Sequence, residues 1–407
     1  ATMVNREWGQ MGSNYLRSLF ALGFQVRFYD KYKKKGMSDK EAAYASLIEG
    51  MDKSLGDIMD WLEKKIWPAE AKLTDDVIYA QSMLGIAEMI RCGTTAYADM
   101  YDHMDQEARA VEESGIRACL CRGSIGIGPN AQDGLDENRQ LFLDWHGKAD
   151  GRITVMMGPH APYTCPPDYL HKFVDQAREL GAEIHIHLSE TKGEVENIKQ
   201  QYGKSPIALM DEIGVLDCGC LAAHCVWVDD DDMDIMAAKH VRVAHNPGSN
   251  LKLASGIAPV PKMLAKGITV GLGTDGASSN NNLDIVEEMR LTTLIHKAHT
   301  LDPLVIPAET AINMLTEGGA KCLGYKDVGK LETGYKADIT LVDREGLHWY
   351  PKNDTLSLMA YSANSMDVDT VLVNGEVLLR HKEFTKLDIE KIKAEAERTR
   401  KKLFAQI

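Results

Sequence analysis

The stretch AEIHIHLSET, residues 182–191, places two histidines and a glutamate at a spacing suited to metal-assisted chemistry. Successive side chains of a β-strand point to opposite faces, so His185 and His187 would leave the same face of a strand. Imidazoles on one face can hold a metal ion. Glu190 would follow where the strand gives way to a loop, and its carboxylate could move a proton there. The spacing therefore indicates a catalytic site at this strand end.

Four further polar residues of suitable types follow other apolar runs. His160 lies in GPHAPYTCPP, His224 in LAAHC, His245 in AHNPGSN and Asp275 in GLGTDGASSNNN. Each alone is weak evidence, because a single histidine is usually structural and an aspartate before glycine can simply form a turn. Together they include the ligand types of a hydrolytic Zn²⁺, which lowers the pKa of bound water to about 7. The set fits metal-assisted hydrolysis.

The apolar runs that precede these residues alternate with helical patterns from about residue 75 onward. Seven β-rich runs fall at 94–100, 117–123, 153–159, 182–188, 220–226, 241–247 and 268–274. Between them lie helix-like segments such as DYLHKFVDQARELG, which has apolar residues at helical spacing and a terminal glycine. Buried strands that alternate with helices predict a parallel sheet, and this number of units predicts a TIM-type (β/α)8 barrel. Active sites of such barrels gather at the carboxyl ends of the strands.

The pattern changes on both sides of this region. Residues 1–55 match neither pattern, although 24–30 could form a strand. The barrel is predicted over residues 56–326. Short strands broken by glycine and Asn-Gly turns then predict a small β-sandwich over 327–380, and 381–407 has the pattern of a charged amphipathic helix.

The composition limits the partners. The 407 residues carry a formal net charge of −14, which disfavours nucleic acid or an anionic membrane because both would be repelled. No run of about 18 apolar residues appears, and the first residues lack the features of a signal peptide, so we expect a cytoplasmic protein. Eight scattered cysteines favour free thiols over disulfides. A small neutral or zwitterionic substrate fits best.

Longer motifs carry a resemblance to a known family. HLSET, LAAHC, AHNPGSNLKLA and GTDGASSNNNLDIVEEMR resemble the amidohydrolase superfamily, specifically its 5′-methylthioadenosine/S-adenosylhomocysteine deaminases. The resemblance implies hydrolytic deamination of S-adenosylhomocysteine, 5′-methylthioadenosine, adenosine or 5′-deoxyadenosine to the inosine analogue and ammonia. It also implies one divalent metal ion per chain, zinc or else iron. Barrels of this family commonly self-associate, which makes a homo-oligomer a further expectation.

The resemblance implies a role for each catalytic candidate. His187 matches a zinc ligand, and Asp275 matches an aspartate that binds zinc and orients the attacking water. Glu190 matches a glutamate that shuttles protons and contacts the purine ring. His224 matches a histidine that polarises the water. Of the H-x-H in AEIHIHLSET, only His187 is expected to bind metal, with His185 packed one layer deeper in the barrel.

Three further matches imply contacts with the substrate. Glu70 in WPAEAKL resembles a residue that holds the ribose hydroxyls. Arg122 in CRG resembles one that meets the 5′ substituent, and His160 resembles one that contacts the bound nucleoside. Together with Glu190 at the adenine edge, these matches favour a nucleoside with a 5′ tail.

One part of the family pattern is missing. The family's first barrel strand ends in an H-x-H that supplies two zinc ligands, whereas the first histidine here is His103. Three explanations are open: a replacement strand at 24–30 with Asp30 near the mouth, an N-terminus that does not represent the native start, or loss of turnover with nucleoside recognition kept. The last gives an alternative function, an inactive nucleoside-binding homologue. A guanine deaminase or triazine chlorohydrolase is an alternative within the same fold.

The remaining histidines have weaker claims to chemistry. His245 follows a strand end and is a candidate for a supporting role at the barrel mouth. The histidines on polar segments are predicted to lie at the surface: His296, His299, His348 and His381.

Overall fold

The computed structural model describes residues 70–127 and 130–405. Contacts divide the chain into two compact units, residues 1–73 with 402–407 and residues 74–401. The strands that carry the candidate residues belong to the second unit. The predicted segment 1–55, with its strand-like run and Asp30, lies outside the described residues.

Seven strands run parallel and pair in chain order. One sheet contains β1 (Ala96–Tyr101), β2 (Arg117–Arg122) and β3 (Ile153–Val155), and a second contains β4 (Ile184–Leu188), β5 (Cys220–His224), β6 (Arg242–His245) and β7 (Thr269–Leu272). An isolated parallel bridge between Met157 and Ile184 connects the end of β3 with β4. The seven predicted runs are therefore confirmed as one parallel series, although residues 70–127 and 130–405 do not show a closed barrel.

Helices alternate with these strands. The longer ones are α1 (Asp75–Arg91), α2 (Met104–Ser114), α3 (Ala131–Trp145), α4 (Pro167–Leu180), α5 (Lys192–Tyr202), α6 (Pro206–Ile213), α7 (Asp230–Ala238), α8 (Pro247–Lys252), α9 (Val260–Ala265), α10 (Ile285–Thr300), α11 (Ala308–Asn313), α12 (Thr355–Tyr361) and α13 (Ile389–Phe404). Helix α4 confirms the predicted helical segment: Pro167 begins it, and Gly181 follows it at φ 65°, the left-handed conformation that ends many helices.

The region after the barrel strands contains an antiparallel sheet. Its strands are β8 (Ile339–Val342), β9 (Val368–Val373), β10 (Glu376–Arg380) and β11 (Glu383–Phe384), in the order β11-β10-β9-β8. Asn374 and Gly375, at φ 52° and 81°, form the predicted Asn-Gly turn between β9 and β10. Where the sequence predicts a sandwich over 327–380, the described residues form this single sheet.

The two largest apolar cores among the described residues hold these layers together. Ile186 of β4 and Phe173 of α4 lie in the core between the second parallel sheet and its helices. Ile90 of α1, Leu120 of β2 and Val371 of β9 share the other core, which joins the first parallel sheet to the antiparallel sheet. Full burial of each such side chain contributes about 1.5–3 kcal/mol. Within the described ranges, no helix is both long and apolar enough to span a membrane.

Candidate active site

The carboxyl ends of β4, β5 and β7 bring four predicted residues together. His187 in β4 and His224 at the end of β5 have stacked rings, with centroids 5.5 Å apart. Nε2 of His224 lies 3.9 Å from Oε2 of Glu190 and 4.0 Å from Oδ2 of Asp275. The side chain of His224 is 2% exposed, whereas those of Glu190 and Asp275 are 19% and 23% exposed. A buried imidazole therefore lies between two carboxylates that a ligand can reach.

Hydrogen bonds at Nδ1 fix the rings of His187 and His224 and leave their Nε2 atoms available to a ligand. The carbonyl oxygen of His160 accepts from Nδ1 of His187 at 2.9 Å and from its backbone N–H at 3.0 Å. Nδ1 of His224 donates to Oδ1 of Asn250 at 2.8 Å. With the proton on Nδ1, each ring keeps a lone pair on Nε2 for a metal or a water. Burial and the neighbouring His224 lower the pKa of His187, which favours the neutral form that metal binding requires.

The main chain is strained at three neighbouring strand ends. Ser189 after β4, His224 at the end of β5 and Asp275 after β7 have φ values of 51°, 71° and 62°. A left-handed conformation in a residue other than glycine costs about 1–3 kcal/mol and persists only where the surroundings impose it. These three residues lie at or beside the converging side chains. The strained backbone therefore orients the site at a cost to the stability of the fold.

Glu194 holds the loop that carries Glu190. Thr191 caps α5 by accepting a hydrogen bond from the Glu194 N–H at 3.1 Å. In a usual capping box the glutamate returns to the N–H of the cap residue. Here its carboxylate accepts instead from the N–H groups of Ser189 and Glu190, at 2.8 and 2.9 Å. Burial raises the pKa of Glu194 to about 7. Glu194 thus fixes the main chain on either side of the strained turn.

Asp275 and Glu190 are also held through their side chains. Oδ2 of Asp275 accepts from the hydroxyl of Ser249 at 2.6 Å, and its Oδ1 accepts from the N–H of Gly276 at 2.7 Å. Oε1 of Glu190 accepts from the hydroxyl of Ser255 at 3.0 Å. One carboxylate oxygen of Glu190, Oε2, therefore faces His224 while the other is anchored.

The predicted substrate-contacting residues are placed in three different settings. The ring of His160 lies 5.1 Å from that of His187, and burial lowers its pKa to about 3. Arg122, at the end of β2, pairs with Glu137 at 2.5 Å and Asp102 at 3.1 Å. Glu70 is exposed and belongs to the first compact unit, so its contact with ribose stays a prediction.

Three other histidines are buried: His185 in β4, His245 at the end of β6 and His296 in α10. His185 is 7% exposed, and its Nδ1 lies 3.4 Å from Sγ of Cys121, which agrees with a packing role. Nε2 of His245 contacts Nε2 of His296 at 3.2 Å, and both rings are buried. The predicted surface position of His296 is wrong, because α10 directs this side of its otherwise polar segment toward His245 at the end of β6.

Sequence reasoning missed four residues that contact the site: Glu194, Ser249, Asn250 and Ser255. A signal for Glu194 was present, because Thr191 and Glu194 have the spacing of a capping box. The other three follow β6 in HNPGSNLKLAS, where hydroxyl and amide side chains cluster directly after a strand end. Their hydrogen-bond partners lie at or after the ends of other strands, so only the folded chain reveals the pairing.

The described side chains at these strand ends include atoms of the types that bind a divalent metal, but too few of them to complete a site. His187 Nε2 and the Asp275 carboxylate are the nitrogen and oxygen donors that zinc takes, and catalytic zinc sites typically have three protein ligands and a water. Among residues 70–127 and 130–405, no group of three or more His, Cys, Asp or Glu is placed to hold a metal ion. His187 and Asp275 therefore supply donor types that zinc takes, and their assignment as metal ligands stays a prediction.

The amidohydrolase family model matches residues 46–378, and the chain belongs to the amidohydrolase family. A 5-methylthioadenosine/S-adenosylhomocysteine deaminase from Dictyoglomus thermophilum is 54% identical over 339 residues, covering 83% of this chain and 80% of that protein. One from Pelotomaculum thermopropionicum is 53% identical over 341 residues, covering 84% of this chain and 79% of that protein. The resemblance inferred from the motifs is thus confirmed.

Solved structures agree with this assignment. An adenosine deaminase from Xanthomonas campestris with bound zinc superposes with a TM-score of 0.82 at 31% identity, covering 86% of this chain and 80% of that one. The zinc complex of an atrazine chlorohydrolase from Arthrobacter aurescens has a TM-score of 0.76 at 25% identity, covering 88% and 82%. Family and neighbours imply a TIM-barrel fold with a C-terminal sheet domain and support a divalent metal.

Proposed function

We propose that this protein is a zinc-dependent aminohydrolase that deaminates adenosine derivatives to inosine analogues and ammonia. The candidates are S-adenosylhomocysteine, 5′-methylthioadenosine, adenosine and 5′-deoxyadenosine. The observation that carries the proposal is the position of His224 Nε2, within 4.0 Å of the carboxylates of both Glu190 and Asp275. Relatives that are 54% and 53% identical over most of the chain are named as deaminases, which supports the same chemistry.

The residues divide the work of adding water and expelling ammonia. Zinc, with His187 and Asp275 among its ligands, would supply a water whose pKa is about 7. Asp275 and His224 would orient the attacking water against C6 of the adenine ring. As the water oxygen bonds to C6, Glu190 takes a proton and delivers it to N1. The remaining hydroxyl proton then passes through Glu190 to the amino nitrogen, the bond from C6 to that nitrogen breaks, and ammonia leaves.

The site geometry suits this double proton transfer. Oε1 of Glu190 is anchored by Ser255, so Oε2 can face the reacting atoms from a fixed position. His160 lies beside His187 and is kept neutral by burial, which suits a contact with an uncharged nucleoside. We assign Arg122 to the 5′ substituent and Glu70 to the ribose hydroxyls, following the motif matches.

The direct experiment measures ammonia released from S-adenosylhomocysteine by the purified, zinc-loaded chain. We expect release of ammonia with the matching inosine analogue as product, and a large loss in Glu190→Gln. Measuring kcat/KM for adenosine and 5′-methylthioadenosine in parallel shows which 5′ substituent the enzyme prefers. A chain that binds zinc and nucleoside and yet releases no ammonia from any of the three would overturn the proposal.

A second candidate function rests on the incomplete metal set. The chain has no histidine before His103, and the described residues do not complete a metal site. A nucleoside-binding homologue without turnover is consistent with both facts. Calorimetric titration with adenosine, done beside the ammonia measurement, separates the two: binding without ammonia favours this candidate, and binding with ammonia favours the enzyme.

A further inference from the structure

The segment after β6, residues 246–256, contacts the site at three strand ends. We call it the post-β6 segment. Its Ser249 hydroxyl donates to Asp275 at 2.6 Å, its Asn250 amide oxygen accepts from His224 at 2.8 Å, and its Ser255 hydroxyl donates to Glu190 at 3.0 Å. These three targets follow or end β7, β5 and β4. One short piece of chain thus holds three of the four groups that converge at the site.

We propose that the post-β6 segment is the positioning element of this site, with Ser249, Asn250 and Ser255 as positioning residues for Asp275, His224 and Glu190. This inference rests on the proposed function, since it assigns these residues to the same reaction. None of the three is assigned contact with substrate or metal; each acts through the group that it holds. A displacement of about 1 Å in such a group is enough to impair a catalytic site.

The side chains point away from their own segment. A serine or asparagine near a helix commonly bonds to the backbone a few residues away, where it caps or turns the chain. Ser249 and Asn250 lie inside helix α8, yet their bonding side-chain atoms reach Asp275, which follows β7, and His224, which ends β5. Ser249, Asn250 and Ser255 are 0%, 1% and 5% exposed. Local capping does not explain polar atoms that are buried and aimed at separate site groups.

The segment is itself fixed to the body of the barrel. Glu288 of α10 accepts from the N–H of Gly248 at 2.8 Å, and the indole of Trp227 donates to the carbonyl oxygen of Ser255 at 2.6 Å. A side chain at position 248 would collide with the Glu288 carboxylate. Gly256, at φ 127°, adopts a conformation open mainly to glycine. These attachments hold the segment at both ends, as a positioning element requires.

The first test is a double-mutant cycle between Ser255 and Glu190, with kcat and KM measured for S-adenosylhomocysteine. Ser255→Ala should lower kcat about tenfold at unchanged KM, the usual effect of losing a hydrogen bond to a charged group. Ser255→Thr, which keeps the hydroxyl, should recover most of the rate. In the Glu190→Gln background Ser255→Ala should cost nothing further. A full tenfold cost in that background would overturn the proposal, since Ser255 would then not act through Glu190.

A second readout is independent of turnover and metal. The crystal structure of Ser255→Ala should show the Glu190 carboxylate displaced by about 1 Å or more, and that of Ser249→Ala should show the same for Asp275. The main chain should be unchanged in both variants. Ser357→Ala, on the exposed start of α12, is the matched control and should leave both carboxylates in place. Unmoved carboxylates in both site variants would overturn the inference even if the chain proves to lack deaminase activity. If the carboxylates move as expected but the parent protein shows no deaminase activity, only the proposed function is overturned.

Discussion

The carboxyl ends of β4–β7 and the end of β2 hold their charged side chains in opposite ways. On the β4–β7 side, hydrogen bonds from Ser249 and Ser255 anchor Asp275 and Glu190 while leaving one face of the cluster open. At the end of β2, the guanidinium of Arg122 is neutralised by Asp102 and Glu137. The carboxylates on the β4–β7 side are therefore held by neutral hydroxyl groups, whereas two carboxylates already pair with the guanidinium that we assign to the 5′ substituent.

The largest effect should come from the anchored carboxylate. Glu190→Gln keeps the shape of the side chain and removes its ability to carry a proton, so kcat for S-adenosylhomocysteine should fall about a thousandfold. Ammonia release measures it. Glu196→Gln, an exposed change on α5, is the control and should leave kcat within twofold or so of the parent. Substantial turnover in Glu190→Gln would show that Glu190 is not the proton shuttle.

A pH-dependent loss of stability should follow from Glu194. Burial raises its pKa from the ordinary 4.5 to about 7. Folded Glu194 keeps its proton through that window while the unfolded chain releases it, so the unfolded state binds fewer protons and stability falls as pH rises. The contribution is intact below pH 4.5 and is lost by about pH 7, with a total of about 3 kcal/mol.

Urea unfolding at pH 5 and pH 7 measures this loss. Glu194→Gln cannot titrate, so between pH 5 and pH 7 its unfolding free energy should fall less, or rise more, than that of the parent. Burial also raises the pKa of Asp99 to about 8 and of Glu288 to about 7, whereas it lowers the pKa of His160 and His185 to about 3. These groups titrate in both proteins and cancel in the difference between them. An identical slope in the parent and in Glu194→Gln would show that the pKa of Glu194 is not raised in the folded protein.

The smallest effect should appear at Arg122. Arg122→Met should raise KM about tenfold for S-adenosylhomocysteine, whose 5′ tail carries a carboxylate, and leave KM for adenosine nearly unchanged. Glu137→Gln should move KM for S-adenosylhomocysteine the other way, because it removes one competitor for the guanidinium. Steady-state kinetics with both substrates measures the contrast. Equal shifts for the two substrates would contradict an assignment of Arg122 to the 5′ substituent.

Residues that end a strand or closely follow one were predictable from sequence. Alternating apolar runs and helices fix which residues end a strand, and parallel strands bring those ends to one edge. His187, Glu190, His224 and Asp275 were found in this way, with the family motifs, and they converge. Arg122 was singled out by the family resemblance alone, and its pairing with Glu137 of α3 depends on a helix position that the local pattern does not encode.

Residues whose partners lie elsewhere in the chain were not predictable. His296 lies in a polar stretch of α10 and was expected at the surface, yet it packs against His245. Ser249 and Ser255 have ordinary types for a loop after a strand, and only the assembled barrel shows that their hydroxyls reach Asp275 and Glu190. Periodicity reports the face on which a side chain lies and carries no information on its distant partner.

The central claim, that the ends of β4, β5 and β7 form a metal-assisted hydrolytic centre, is tested most directly by anomalous diffraction from zinc-soaked crystals. We expect one zinc peak about 2.0–2.2 Å from Nε2 of His187 and from a carboxylate oxygen of Asp275, with Glu190 and His224 beside it. Zinc bound only away from His187 and Asp275, or no peak at a saturating zinc concentration, would contradict the claim.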